Sequence, residues 1–126
     1  MWAIAPAQAQ LRGHGGPVRA LAVSPDGERL LSASFDTTAI AWLLTSGTAE
    51  KVLRFHEGAV NAASFLKDGR MATGGEDGRI AIWQPGQDKP TTVLRGHTAP
   101  VVSLALSADG ATLASASWDT TSRLWS

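Results

Sequence analysis

The chain has 126 residues, with 11 Lys plus Arg balanced by 11 Asp plus Glu, and it contains no cysteine. A balanced charge gives no field that would concentrate nucleic acid or anionic lipid, and the lack of cysteine excludes a disulfide framework, a thiol nucleophile, a Cys-ligated zinc and covalently attached haem. No apolar run approaches the ~18 residues of a membrane span. The balanced charge and the lack of such a run together predict that neither nucleic acid nor a membrane is a partner.

The first residues resemble the end of a secretory signal. They are uncharged, and Ala7-Gln8-Ala9 has the small-x-small pattern that signal peptidase prefers. Because a basic region is missing and the apolar part is short, residues 1–9 are interpreted as a signal-peptide remnant, with a wrongly assigned start as the alternative. A periplasmic or extracytoplasmic location follows as an expectation, and a cytoplasmic location is the alternative.

The remaining residues, 10–126, repeat one unit three times, at about 10–50, 51–90 and 91–126. In each copy a Ser or Thr lies four residues before an Asp, and a Trp lies six residues after that Asp. The recurring residues are His14, Ser32, Asp36 and Trp42, then His56, Thr73, Asp77 and Trp83, then His97, Ser115, Asp119 and Trp125. Four residue types recurring at intervals of 41 and 42 residues indicate a repeat architecture.

Each copy is predicted to consist of short strands joined by tight turns. The first strands are 18–23, 60–65 and 101–106, each leading into an Asp-Gly hairpin signal. The second strands are 30–34, 71–75 and 113–117, the third are 39–43, 79–83 and 122–125, and the fourth are 51–55 and 91–95. No window shows sustained helical periodicity, so the sequence predicts an all-β protein.

These motifs resemble the WD-repeat (WD40) family. Its characteristic sequence elements are matched by Gly13-His14, Gly96-His97, Ser24-Pro25-Asp26-Gly27, the run 113–119, and the three recurring tryptophans. The departures are Phe55 before His56, and Leu43, Gln84 and Ser126 in place of the aspartate of the Trp-Asp dipeptide. The resemblance implies a β-propeller whose blades are four-stranded antiparallel sheets, three of them in this chain, and it says little about function.

The resemblance also implies that the four recurring residues of each copy form one hydrogen-bonded tetrad within a blade. Such a network would satisfy a buried carboxylate and a buried indole N–H together. A Ser-His-Asp nucleophilic triad is the competing hypothesis, but a catalytic constellation occurs once per site, whereas this one occurs three times and always with a Trp. We therefore expect no enzyme, no metal site and no cofactor, and the sequence has no metal-ligand motif or phosphate loop.

In this family the strand before the histidine is the outer strand of the preceding blade. Residues 8–12 would then be an outer strand without its own blade, and the last blade would lack an outer strand. Three blades cannot close a ring, because propellers have about four to eight. Either two copies form a homodimer of six blades, in which each N-terminal strand completes the partner's last blade, or the remainder of a longer propeller is missing.

The resemblance places the partner face at the residue before the tetrad aspartate and at the residues three and five after the histidine. These are Phe35, Glu76 and Trp118, then Pro17, Ala59 and Pro100, then Arg19, Asn61 and Val102. The copies differ at these positions, and Trp and Arg are enriched in binding hot spots. The alternative role for these residues is packing against a neighbouring loop.

The sequence therefore predicts a non-catalytic protein–protein interaction scaffold that binds a protein or peptide on the propeller face. The alternative is an N-terminal propeller segment of a larger exported chain, serving an enzyme or a c-type cytochrome electron-transfer domain.

Overall fold

The computed structural model describes residues 10–126, which form three antiparallel sheets. The first contains β1 (Val18–Val23), β2 (Arg29–Ser34), β3 (Thr38–Leu43) and β4 (Thr48–Arg54). The second contains β5 (Val60–Phe65), β6 (Met71–Gly75), β7 (Ile80–Trp83) and β8 (Thr92–Leu94), and the third contains β9 (Val101–Leu106), β10 (Leu113–Ser117) and β11 (Ser122–Trp125). Strands pair in chain order within every sheet, which confirms the prediction of an all-β chain built from blades.

Two predicted fourth strands differ from the observed ones in their bounds. β4 starts at Thr48 because a tight turn at Gly47 lets Thr48 pair directly with Leu43, and the strand therefore starts before the predicted residue 51. β8 is shorter than predicted and covers only Thr92–Leu94. Of the expected strand 8–12, the described residues 10–12 are not in a strand. The proposed signal remnant, 1–9, lies outside the described residues.

The core lies between the sheets, which stack face to face. Leu31, Ala41 and Leu53 of the first sheet pack against Met71 and Trp83 of the second. A second apolar cluster joins the second sheet to the third; its buried members are Leu66, Ala72, Ile80, Ile82, Val101 and Leu113. The second sheet is therefore covered on both faces, and each outer sheet is covered on one. Within the described part of the chain, no helix is long and apolar enough to cross a membrane.

The first strand of each sheet is its inner strand, and each inner strand (β1, β5 and β9) carries a β-bulge at its second residue. The register with the next strand slips across Arg19 in β1 and across Asn61 in β5. The same slip occurs at Val102 in β9. A bulge redirects the extra residue's side chain and bends the strand. Each sheet therefore bends at the start of its inner strand, and the three bends form three equivalent corners, one in each sheet.

Candidate functional site

The structure brings the four recurring residues of the first copy together. Trp42 Nε1 donates to Ser32 Oγ at 2.8 Å, and the same oxygen lies 2.7 Å from His14 Nε2. The other ring nitrogen, Nδ1, is 3.0 Å from Asp36 Oδ2. This chain of contacts ties β3, β2 and the segment before β1 into one unit.

The second copy repeats the arrangement with a threonine. Trp83 Nε1 donates to Thr73 Oγ1 at 3.0 Å, and His56 Nε2 lies 2.8 Å from that oxygen. His56 Nδ1 is 3.0 Å from Asp77 Oδ1. In the third copy, Trp125 Nε1 donates to Ser115 Oγ at 2.9 Å, and His97 Nε2 lies 2.7 Å from that oxygen. His97 Nδ1 is 2.7 Å from Asp119 Oδ2.

The direction of each hydrogen-bonded chain follows from its two ends. An indole N–H can only donate, and an ionised carboxylate can only accept. With the ring proton on Nδ1, which donates to the aspartate, the hydroxyl that accepts the indole hydrogen donates its own hydrogen to the histidine Nε2. The hydroxyls belong to residues no more than 4% exposed, namely Ser32, Thr73 and Ser115. This arrangement joins strands and does not present a nucleophile to solvent.

The carboxyl group of Asp77 is held in its ionised form. Burial acts to raise its pKa, but the hydrogen bond from His56 and those from the main-chain N–H groups of Glu57 and Arg79 outweigh burial and lower the pKa to about 2. Hydrogen bonds to a carboxylate favour the charged form in this way. The tetrad thus contains a fixed negative charge at neutral pH.

A fifth residue, two positions after the tetrad aspartate, was missed by the sequence analysis. Thr38 Oγ1 donates to Asp36 Oδ1 at 2.6 Å, and Thr121 makes the same bond to Asp119. Burial acts to raise the pKa of Asp36, but this hydroxyl and main-chain N–H groups lower it below its usual range. The Thr121 hydroxyl is the strongest influence lowering the pKa of Asp119. The repeated Asp-Thr-Thr sequence in two copies was the available signal.

The second copy has Gly75 where the others have a serine. A Cβ at this position would lie 2.5 Å from His56 Nδ1 and 2.8 Å from Asp77 Oδ1, so there is no room for a side chain. In the other copies the hydroxyl of Ser34 or Ser117 accepts the main-chain N–H of the tetrad aspartate. The serines therefore shape the turn but are not members of the tetrad.

The residues expected at the partner face lie at the bulged corner of each sheet. There the residue before the tetrad aspartate donates its main-chain N–H to the residue three after the histidine. These bonds join Phe35 to Pro17 and Glu76 to Ala59 at 2.9 Å, and Trp118 to Pro100 at 3.1 Å. The third residue of each set, Arg19, Asn61 or Val102, is the bulged residue of the adjoining inner strand.

Two of the three corners expose an aromatic ring. Phe35 is 56% exposed and Trp118 is 68% exposed. The guanidinium carbon of Arg19 lies 5.8 Å from the centre of the Phe35 ring, which is within the range of a cation–π contact. The first corner therefore presents a ring and a positive charge together.

The corner of the second sheet presents a carboxylate. Ala59 and Asn61 are buried, whereas Glu76 is exposed. Asn61 Nδ2 donates to Glu76 Oε2 at 2.7 Å and orients it, while Asn61 Oδ1 has no hydrogen-bond partner among residues 10–126. Because the second sheet packs between the other two, Glu76 lies between the two aromatic corners.

Comparison with known proteins agrees with the repeat pattern. A family model described as WD domain, G-beta repeat matches residues 6–43, 47–84 and 88–126. Ribosome biogenesis protein YTM1 of Candida glabrata is 33% identical over 86% of this chain. Phospholipase A-2-activating protein of Xenopus laevis is 33% identical over 91% of it, and guanine nucleotide-binding protein subunit beta of Schizosaccharomyces pombe is 39% identical over 53%. The chain spans 28%, 16% and 22% of these relatives, respectively.

The comparison corrects the expected location. Several of the matched relatives are yeast proteins named for ribosome biogenesis, which is not a periplasmic process. The periplasmic or extracytoplasmic expectation is therefore wrong; it rested on a short Ala-rich segment that carries no basic region. None of the three relatives described above is named for electron transfer, so the alternative function gains no support from them.

Proposed function

Because the chain belongs to the WD-repeat family, we propose that it is a non-catalytic interaction module that binds a protein or peptide at the three bulged corners. The names of two matched relatives support this proposal, because a guanine nucleotide-binding protein subunit beta and a phospholipase A-2-activating protein are each named for association with, or action on, another protein. The proposal concerns the residues of this chain and not the whole of any relative.

The observation that carries the proposal is the exposure of Phe35 and Trp118 at equivalent corners. The main chain at each of these two corners is fixed by the hydrogen bond to a proline carbonyl, so the rings are displayed on a rigid support. Rigid, exposed aromatic side chains lose little conformational entropy on binding and commonly provide the largest share of the binding energy.

The charge at the middle corner narrows the class of partner. Glu76 presents a carboxylate whose orientation is set by Asn61, and it lies between the two rings. A cationic side chain would pair with this carboxylate and contact an aromatic face as well. The corners therefore suit an extended peptide segment that has one Lys or Arg flanked by apolar residues.

Peptides selected from a random displayed library against this chain test the proposal. Binding of each selected peptide is measured by fluorescence anisotropy, and enrichment of a basic residue flanked by apolar ones is expected. Trp118→Ala and Phe35→Ala should each weaken binding at least tenfold, which corresponds to about 1.4 kcal/mol. Glu76→Gln should weaken binding of basic peptides most.

The matched control is Leu44→Ala, which shortens an exposed apolar side chain in the turn between β3 and β4, at the end of the strands opposite to the corner. This variant should bind like the parent chain. Unchanged affinity in both aromatic variants would refute binding at the corners.

A further inference from the structure

Among residues 10–126, the third sheet lacks the outer strand that the other two sheets have. β11 pairs with β10 on one side only, so the main-chain N–H and C=O groups along its other side have no strand partner in the described chain. An unpaired strand edge is a template for another strand.

A groove of about 560 Å³ adjoins the end of this edge. Trp125 and Ser126 lie on one side of it, and Ile82 and Leu94 of the second sheet lie on the other. Ile82, Leu94 and Trp125 also belong to the apolar cluster between the second and third sheets. The groove is thus continuous with an interface already formed inside the molecule.

The chain itself contains a segment that matches the missing strand. The outer strand β4 ends in Leu53-Arg54, and β8 ends at Leu94, which Arg95 follows; each leucine lies three residues before a tetrad histidine. Leu11-Arg12 has the same relation to His14 but is not in a strand. It lies over the first sheet, where a Cβ on Gly47 would be 3.8 Å from Leu11 Cδ2.

Leu11 and β11 of one chain are kept apart by the second sheet. β1 and β2 contact β5, and β5 and β6 contact β9, so the first sheet reaches the third only through the second. Leu11-Arg12 can therefore pair with β11 only if the two segments belong to different molecules.

The exposed apolar faces of the first and third sheets also match a second copy of the chain. Leu21 and Val23, 63% and 56% exposed, are equivalent to Leu104 and Leu106, which pack against the preceding sheet. Leu124, 76% exposed, is equivalent to Ile82, which packs against the following sheet. The open face of the first sheet therefore matches a face that packs against a preceding sheet, and the open face of the third sheet matches one that packs against a following sheet. A second copy of the chain can supply both, through its third sheet and its first sheet respectively.

We propose that two copies associate head to tail into a closed ring of six sheets, in which Leu11-Arg12 of each copy pairs with β11 of the other. Ile40 pairs with Val52 and Ala81 with Val93 in the complete sheets, so the equivalent register places Gln10 of one copy opposite Arg123 of the other. Leu11 then lies opposite Ser122, as Leu53 lies opposite Ala39. Six sheets are within the range that closes a propeller, and a head-to-tail contact that closes the ring covers both open sheet faces of each copy.

Light scattering after size exclusion, over a hundredfold range of concentration, tests the association. The expected mass is twice the 13.2 kDa of the chain. Leu124→Glu should shift the protein to a monomer, because it places a charge in the proposed contact on a residue already exposed in the single chain. Leu44→Glu, in a turn outside the proposed contact, is the control and should remain a dimer, and circular dichroism should show both variants folded.

Engineered disulfides test the register, since the chain has no cysteine of its own. The pair Gln10→Cys with Arg123→Cys should give a covalent dimer on a non-reducing gel after mild oxidation, because directly opposed residues meet the distance a disulfide needs. The pair Gln10→Cys with Ser122→Cys is one residue out of register and should give little. A monomer at all concentrations, an open ladder of oligomers, or equal cross-linking by both pairs would overturn the proposal.

Discussion

At the scale of single residues, each tetrad connects groups that could not otherwise be buried together. The indole of Trp83 has one hydrogen to donate, and Thr73 Oγ1 accepts it while donating onward to His56. Asp77 terminates the chain as an ionised acceptor. Removing one member therefore leaves a buried neighbour without its partner, which costs more than the hydrogen bond itself contributes.

Trp83→Phe should lower the free energy of unfolding by about 1–3 kcal/mol, because Thr73 loses the indole donor and a small void replaces part of the ring. Urea denaturation followed by circular dichroism measures the change. Trp118→Phe makes the same substitution at an exposed ring and should leave the midpoint unchanged. Equal effects of the two substitutions would contradict the structural role of the tetrad.

Acid should destabilise the fold through the tetrad aspartates. The folded-state pKa of Asp77, about 2, is below the unfolded value, so its stabilising contribution is complete above the unfolded pKa and is lost as the pH falls from about 4 towards 2. Asp77→Asn should be less stable than the parent at pH 7 and should lose less stability across this window. Chemical denaturation at a series of pH values measures both, and parallel curves for the two proteins would refute the assignment.

At the scale of elements, the turn between the second and third strand of each sheet sets the corner. Thr37 and Thr120 adopt φ angles of 78° and 75° there, and Gly78 adopts 77° at the equivalent place in the second sheet. For a non-glycine residue this left-handed conformation is unfavourable by about 1 kcal/mol. The first and third turns are therefore strained, and the second is not.

Thr37→Gly should raise the melting temperature by a few degrees, because relief of strain outweighs the added freedom of the unfolded chain. Gly78→Thr should lower it, since a Cβ there would also lie 2.9 Å from the carbonyl oxygen of His97. Thr45→Gly, in an exposed turn where φ is not positive, is the control and should give no gain. Differential scanning calorimetry ranks the three variants, and stabilisation by Thr45→Gly would undermine the strain argument.

At the scale of the whole molecule, the repeat period determined how much was predictable. Strand positions and the tetrad residues could be aligned because identical residue types recur at fixed intervals. The bulges at Arg19, Asn61 and Val102 could not, since a register slip depends on which residues pair across two strands. Predicting which faces stay open required the stacking order of the sheets, which no local pattern contains.

The stacking order also predicts where the molecule is most resistant to local opening. β6 and β7 are buried along their whole length, because the second sheet is covered on both faces. Their amides should exchange with solvent more slowly than those of β4, an outer strand whose one neighbouring strand among residues 10–126 is β3. Hydrogen–deuterium exchange with peptide-level resolution measures this, and faster exchange in β6 than in β4 would contradict the order of the sheets.

The main-chain bonds at the three corners separate what the molecule displays from what keeps it folded. Phe35, Glu76 and Trp118 occupy the same backbone position, and in each the main-chain N–H makes the same hydrogen bond whichever side chain the residue carries. A phenyl ring, a carboxylate and an indole are accepted there on the same framework. These positions can therefore change freely while the framework is retained, which makes them suitable sites for grafting new recognition residues onto the chain.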